Sequence, residues 1–514
     1  MTEVDGRRWW ALSALVLAAL TLGFDITIMN VALPTIAGEL SVGTDGLQWM
    51  VNAYVLVLAG LMLTCGALGD RYGRKRLLLI GLLLFGVASA AATWADTAGL
   101  VIAARAVMGV GGAIIMPVAF AVLPALFPPA ERPKAVAVVV VGTGVGIPLG
   151  PLIGGYLLEH FWWGSIFLIN VPMVVIALAA IGLLLPESRD PKPPRPDLPG
   201  SALSIGGLGM LVYGLIEAPG RGWSDPVVLG VLGGAAVLLA GFVWWELRAA
   251  QPMIDLRLFA RPQFLWGSVA GVLVTFGLLG MLFVVPQYLQ LVVGYDAFGT
   301  GLRLLPLIGG LVVGAPVGER FAARTGYRGP VALGLLILAA GLAAGATTNA
   351  GSGYGFVAGW LAAVGLGIGM ALSPAMDAVL GALPPERSGS GTAITMTLRQ
   401  VGGALGVALL GSLLAQGYTD RLDTTGLPAP AADTAQDSIA GALAVAGQLA
   451  NPALADAAKT AYLHGMTLVL VATAGLALAS AVLTALLLPG RPAQATTNND
   501  EVSRPEQLAP DGSR

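Results

Sequence analysis

Long apolar segments separated by short polar stretches recur along almost the whole chain. Each reaches about 20 residues, the length at which an α-helix crosses the hydrocarbon core of a bilayer. The pattern predicts fourteen spanning helices. Their predicted ranges are 9–34, 47–68, 76–95, 98–127, 134–157, 162–186, 198–217, 226–246, 264–286, 301–319, 330–348, 355–380, 392–415 and 465–488.

The composition is that of a membrane protein rather than a soluble domain. Hydrophobic residues make up 56% of the 514 positions and charged residues 11%, whereas soluble domains carry about 25% charged residues. We therefore expect an all-α, polytopic membrane protein embedded in a lipid bilayer. The net charge of -2 gives no indication of a nucleic-acid partner.

Lysine and arginine are distributed unevenly between the two sets of loops. If the N-terminus is cytoplasmic, 21 of the 27 lie on the inner side and 4 on the outer side. Arg105 and Arg399 lie within helices. This positive-inside bias predicts that both termini are cytoplasmic, and we expect the cytoplasmic membrane of a bacterium.

The chain resembles itself at a spacing of eight helices. Residues 66–76 match residues 319–329, and PAER at 129–132 matches PPER at 384–387. Transporters are often built from such parallel repeats, with the binding cavity between the halves. We therefore expect two six-helix bundles in parallel pseudo-repeat and an inserted pair of helices.

The predicted organisation has five parts. They are an N-terminal bundle at 1–186, two inserted helices with linkers at 187–262, a C-terminal bundle at 263–488, an extracellular insert within it at 416–464, and a disordered cytoplasmic tail at 489–514. The insert is expected to contain one short helix, at 435–450, and the tail is polar and contains proline.

The turn between the second and third predicted helices has the sequence GALGDRYGRKR, residues 66–76. A basic stop-transfer cluster would explain its arginines but not the regular placing of its glycines and aspartate. The stretch resembles the signature loop of the major facilitator superfamily, G-x-L-x-D-R-x-G-R-K, which implies a role in conformational change. The residues concerned are Gly66, Gly69, Asp70, Arg71, Gly73 and Arg74.

Asp25 is a carboxylate set well inside the first apolar segment, GFDITIMNVALP. A charge there is costly unless it is paired, hydrated or protonated, so an intramembrane acid indicates a functional site. A purely structural partnership with a neighbouring helix is the alternative. The segment is similar to the first-helix motif of the fourteen-helix drug:proton antiporter branch, although Phe24 and Met29 depart from it. The resemblance implies that Asp25 binds protons and substrate, with Asn30 beside it.

Arg105 lies well inside the fourth apolar segment and also needs a partner. Asp25 is the natural one if the first and fourth helices face a common cavity. Outward snorkelling of Arg105 is the alternative. Arg105 and Gly109 match the R-x-x-x-G motif of the superfamily, which implies an influence on the proton site.

The fifth predicted helix carries glycines every four residues, a stripe suited to close packing. Its sequence GIPLGPLIGG resembles the motif that marks proton antiporters within the superfamily, which implies exchange of substrate for protons. The residues concerned are Gly146, Pro148, Gly150, Pro151, Gly154 and Gly155.

Weaker candidates complete the predicted site. Aromatic and amide side chains of the second and ninth helices are candidates for the substrate pocket, although each alone is more often a packing residue: Trp49, Tyr54, Trp266, Phe276, Phe283, Gln287 and Tyr288. Asp377 and Arg399 are candidates for an ion pair near the inner ends of their helices.

The function expected from these features is proton-coupled export of toxic organic compounds by alternating access. The sequence has no phosphate loop, metal-ligand cluster or nucleophile constellation, so we expect neither an enzyme nor a need for ATP, a metal or another cofactor. The expected partners are a small-molecule substrate, protons and lipid, and we expect a monomer. Alternatives are export of an endogenous metabolite, antibiotic, lipid or siderophore, and a non-transporting sensor or scaffold.

Overall fold

The computed structural model describes residues 2–128, 131–189, 197–249, 252, 254–382 and 388–489, and within them every regular element is a helix. Thirteen of these helices are long and apolar enough to cross a membrane, and the 29-residue helix Arg132–His160 lies where the fifth span is predicted. The protein is therefore a multi-pass membrane protein. The long helices, labelled α1 to α14, are Thr2–Leu40, Thr44–Tyr72, Arg74–Thr93, Ala98–Ala121, Arg132–His160, Ser165–Leu184, Leu198–Arg221, Pro226–Glu246, Pro262–Val292, Ala297–Thr325, Arg328–Gly345, Tyr354–Gly381, Ser388–Thr419 and Pro452–Leu487.

The packing of the first six helices is repeated by the last six. Helix α1 packs on α5 and α6, and α9 packs on α13 and α14 in the same way. Likewise α4 packs on α2 and α3, and α12 packs on α10 and α11. The predicted fold class, two bundles in parallel pseudo-repeat, is confirmed; the exact limits of the two bundles, 1–186 and 263–488, stay a prediction.

The inserted helices α7 and α8 lie against one side of this repeat. Helix α7 packs on both α2 and α13, where the hydroxyls of Thr64 and Ser201 are hydrogen-bonded and Ser412 Oγ donates to the Leu215 carbonyl at 2.6 Å. Helix α8 packs on α7, and only 11% of its most apolar stretch is buried. Helix α7 therefore covers the seam between the two halves, and α8 faces the lipid.

The insert between α13 and α14 differs from its prediction. It holds two short helices, Ala429–Asp437 and Ile439–Gln448, and α14 begins at Pro452 rather than at residue 465. The side chain of Asn451 accepts from Leu454 N at 3.2 Å and caps this early start. Hydropathy missed the first turns of α14 because they are amphipathic: Ala458 and Tyr462 are buried while Asp456 is exposed.

The two halves are hydrogen-bonded to each other near the end of the molecule where α1 ends and α2 begins; we call it the outer end, after the predicted orientation. There Gln48 Nε2 donates to the Val407 carbonyl of α13 at 3.2 Å, and Gln290 Nε2 of α9 donates to the Val31 carbonyl of α1 at 2.9 Å. The first segment of α10, Ala297–Arg303, packs on α5. The predicted disordered tail begins at 489, and its residues 490–514 lie outside the described residues.

Candidate functional site

Asp25 is buried in the middle of α1, with 1% of its surface exposed. Its carboxylate accepts a hydrogen bond from Arg105 Nη1 of α4, with which it forms an ion pair. It also accepts from Asn170 Nδ2 of α6 at 3.2 Å. A buried ion pair is stable only when further hydrogen bonds satisfy its remaining polar atoms, and Asn170 supplies one of them. The structure thus brings together the two charges that the sequence pairs; their role in proton coupling stays a prediction.

Arg105 is also held by α2. Its Nε donates to the Met50 carbonyl at 3.1 Å, and its guanidinium carbon lies 4.4 Å from the centre of the Tyr54 ring. A guanidinium over an aromatic face is stabilised by the ring quadrupole. Arg105 is also only 1% exposed, so it does not snorkel outward.

Asn170 and Ser89 are members of the site that sequence reasoning missed. Asn170 Nδ2 also donates to Ser89 Oγ of α3 at 3.1 Å, and Ser89 Oγ donates to the Phe167 carbonyl at 2.9 Å. Both side chains are 0% exposed. The signal that could have found Asn170 is an amide in the apolar segment FWWGSIFLINVP.

Several buried polar atoms at and near the site have no hydrogen-bond partner among the residues that the structure describes. They are Tyr54 Oη, Asn170 Oδ1, Asn30 Oδ1 and both amide atoms of Asn52. Asn30 donates within its own helix, to Ile26 at 3.0 Å, and Asn52 was not predicted. Unpaired buried polar groups are rare in proteins and call for an explanation such as water or a ligand.

The other predicted pocket residues are dispersed. Trp49 contacts the Tyr213 ring of α7, with centroids 6.2 Å apart. The candidates on α9 lie in the C-terminal half, where Phe283, Gln287 and Tyr288 are buried and Trp266 and Phe276 are half-buried. Gln287 Nε2 donates to Phe283 of its own helix at 2.7 Å. Tyr54 is therefore the pocket candidate that adjoins the Asp25–Arg105 pair.

The glycines of α5 hold the backbone of α1 around Asp25. A Cβ at Gly146 would lie 2.7 Å from the Leu20 carbonyl oxygen, and one at Gly150 would lie 2.9 Å from Ile28 N. Gly154 also faces Ile28, whereas Gly155 faces the other half, at the Ala297 carbonyl. Pro151 is buried, and the side chain of Pro148 lies outside the described residues. The stripe therefore fixes the turn of α1 that carries the carboxylate.

The loop at 66–76 is tied to its own half. Arg74 pairs with Asp70 at 2.7 Å, and Gly73 has φ +113°, which favours glycine. Glu187 Oε1, missed by sequence reasoning, accepts from Lys75 N at 3.1 Å and so caps the start of α3. Gly69 fits closely against Val118 of α4.

The two remaining residues of the motif, Gly66 and Arg71, make few contacts. Gly66 faces Pro117 of α4, where a Cβ would find ordinary van der Waals contact at 3.5 Å. Arg71 is exposed and lies over the Tyr72 ring.

Asp377 and Arg399 do not form the predicted ion pair. Arg399 Nε donates to Thr275 Oγ1 of α9 at 3.1 Å, while Asp377 lies near Glu319 of α10. The reason is that the two side chains extend toward different helices.

Comparisons with known proteins agree with this architecture. The profile of the Major Facilitator Superfamily matches residues 15–407. The tetracenomycin C resistance and export protein of Streptomyces glaucescens is 34% identical over 488 residues, covering 93% of this chain and 91% of that protein. The multidrug efflux pump LfrA of Mycolicibacterium smegmatis is 34% identical over 494 residues, covering 93% and 96%. The methyl viologen resistance protein SmvA of Salmonella typhimurium is 33% identical over 482 residues, covering 93% and 97%.

Among solved structures, a bacterial homologue of the human lysosomal transporter Spinster, in an inward-facing and unoccupied conformation, covers 95% of this chain and 99% of its own. The TM-score is 0.69 at 18% identity, a likeness of fold alone. Together, the repeated packing of the two bundles, the matched profile and these relatives establish that the chain belongs to the Major Facilitator Superfamily.

Proposed function

We propose that this protein is a proton-coupled antiporter that exports toxic organic compounds, cationic or amphipathic, across the cytoplasmic membrane of a bacterium. Both termini lie in the cytoplasm, and the proton gradient replaces ATP, a cofactor or any enzymatic step. The single observation that carries the proposal is the ion pair of Asp25 and Arg105, sealed inside the N-terminal bundle. Such a pair is costly as a purely structural device.

Exchange follows from competition for one carboxylate. A proton neutralises Asp25 and removes its attraction for any cation, so proton and cationic substrate exclude each other. Arg105 compensates the charge when neither is bound. In the conformation described here Asp25 is 1% exposed, so this cycle requires the site to open first to one side and then to the other. Each proton that enters across 100 mV brings about 2.3 kcal/mol.

The names of the relatives support the substrate class. They include a multidrug efflux pump and a methyl viologen resistance protein. A second candidate, export of one endogenous antibiotic, is favoured by the tetracenomycin C export protein and by a probable actinorhodin transporter of Streptomyces coelicolor, 30% identical over 422 residues. Deletion discriminates the two: sensitivity to unrelated toxic cations favours the first, and accumulation of one metabolite favours the second.

The decisive experiment measures proton release by the purified protein on addition of methyl viologen, a dication. We expect release from the wild type and none from Asp25→Asn. Glu39→Gln is the matched control, because Glu39 is an exposed carboxylate of the same helix, and it should behave as the wild type. Undiminished release from Asp25→Asn would overturn the proposal.

A further inference from the structure

The amide of Asn170 stands where three helices of the N-terminal bundle meet. Helix α6 is interrupted at Ile169, between the segments Ser165–Leu168 and Asn170–Leu184. Asn170 thus opens the second segment, and it is 0% exposed. Its Nδ2 contacts Asp25 of α1 at 3.2 Å and Ser89 of α3 at 3.1 Å.

The hydrogen bonds determine which end of the Asn170 amide faces Ser89 and Asp25. Ser89 Oγ gives its proton to the Phe167 carbonyl at 2.9 Å, so toward Asn170 it can only accept. The NH₂ group of Asn170 must therefore face Ser89, and the same group then donates its second proton to Asp25. A donor to a carboxylate favours the ionised form over the protonated one.

We propose that Asn170 is a positioning residue that stabilises ionised Asp25 and links its protonation to helices α3 and α6. This inference rests on the proposed function of Asp25. Among the described residues, the charged or titratable groups facing Asp25 are Arg105 of α4 and Tyr54 of α2. The described α5 residues facing this turn are glycines, and α3 and α6 contribute Ser89 and Asn170.

Helix α3 is also hydrogen-bonded to α6 and to the residues that follow it at the inner end of the N-terminal bundle, opposite the outer end. There Lys75 Nζ donates to the Gly182 carbonyl at 2.7 Å, and Arg74 N donates to the Ser188 carbonyl at 3.0 Å. The pair is thus joined at both ends. Weakening of the Asn170 contact on protonation of Asp25 therefore loosens the contact between α1 and this joined pair of helices.

The test follows the protonation of Asp25 directly. Infrared difference spectra of the purified full-length protein are recorded across a pH titration, and the carboxyl band absent in Asp25→Asn gives the midpoint. For Asn170→Leu, loss of a hydrogen bond to the charged form makes the carboxylate hold its proton more tightly. We expect the midpoint to move to higher pH by about one to two pH units.

Two further variants keep the result interpretable. Ser89→Ala removes the acceptor that orients the amide and should shift the midpoint in the same direction by less, even if Asn170→Leu does not fold. Thr21→Val is the matched control, since Thr21 is equally buried on α1 but donates only to Leu17 of its own helix; its midpoint should stay unchanged.

An unshifted midpoint in both Asn170→Leu and Ser89→Ala would overturn the inference, whatever the transport activity. Failure of the proposed function has a different signature. In that case the infrared shift is present, while methyl viologen releases no protons from the wild-type protein.

Discussion

Gly109 of α4 lies against the carbonyl oxygen of Tyr54 on α2: a Cβ there would approach that oxygen to 2.7 Å. Gly109 is one helical turn after Arg105, so the close approach brings the guanidinium within reach of Met50 and Tyr54. The glycine of the R-x-x-x-G motif thus positions Arg105, because it lets α4 approach α2 closely.

Gly109→Ala should therefore push α4 away from α2 and disturb the ion pair. Forced overpacking of this kind costs about 1–3 kcal/mol, so we expect a lower melting temperature together with weaker transport. Gly99→Ala is the matched control on the same helix, because a Cβ at Gly99 meets nothing within 4 Å. Equal melting temperatures for the two variants would contradict this account.

Arg105→Met should destabilise the protein by about 3–5 kcal/mol, because it leaves a buried carboxylate without its counter-charge. Adding Asp25→Asn removes that charge, so the double variant should regain much of the stability while remaining unable to couple to protons. Denaturation of the purified variants and proton-release assays measure the two effects separately. A single Arg105→Met variant as stable as the wild type would show that Asp25 is not charged in the folded state.

A disulfide across the outer end should arrest transport. Thr44 Oγ1 donates to the Asp437 carbonyl of the insert at 3.1 Å, and a Cβ at Gly43 would lie 3.3 Å from the Asp437 Cβ, near the span of about 3.5–4.5 Å found in disulfides. Cys65 is the single native cysteine and is buried. We expect oxidised Gly43→Cys/Asp437→Cys to be inactive and reductant to restore activity. Each single variant is the control, and transport by the fully cross-linked protein would rule out opening at this contact.

The same contact should respond to pH. Burial, and then the nearby carboxylates of Asp45 and Asp433, raise the pKa of Asp437 above its ordinary value. The folded state therefore holds this proton more tightly than the unfolded state, and its stability declines as pH rises between the two pKa values. Solvent screening keeps the effect small, because Asp437 is only partly buried.

Asp437→Asn should accordingly raise the melting temperature slightly at neutral pH and leave it unchanged below the ordinary pKa of the carboxyl. Melting curves across pH measure this difference. Asp456→Asn, which changes an exposed carboxylate of α14, provides the comparison and should show no such pH-dependent gain.

The site shows where sequence reasoning succeeds and where it stops. The pairing of Asp25 with Arg105 could be predicted, because each is a charge inside an apolar segment and each needs the other. Asn170, Ser89 and Glu187 could not, since an amide, a hydroxyl or a loop carboxylate is satisfied by many neighbours. Asp377 and Arg399 show the opposite error: opposite charges near the same end of two helices turn toward different partners.

By itself, the sequence determined the spanning helices, their approximate limits and the repeat, because a chain in lipid must satisfy its backbone within each segment and the apolar length reports this locally. Only the tertiary structure decided which helix faces meet: the seam covered by α7, the early start of α14, and the three-helix junction at Asn170. These depend on contacts between residues far apart in the chain, where hydropathy is nearly uniform and the fit of small side chains selects the partner.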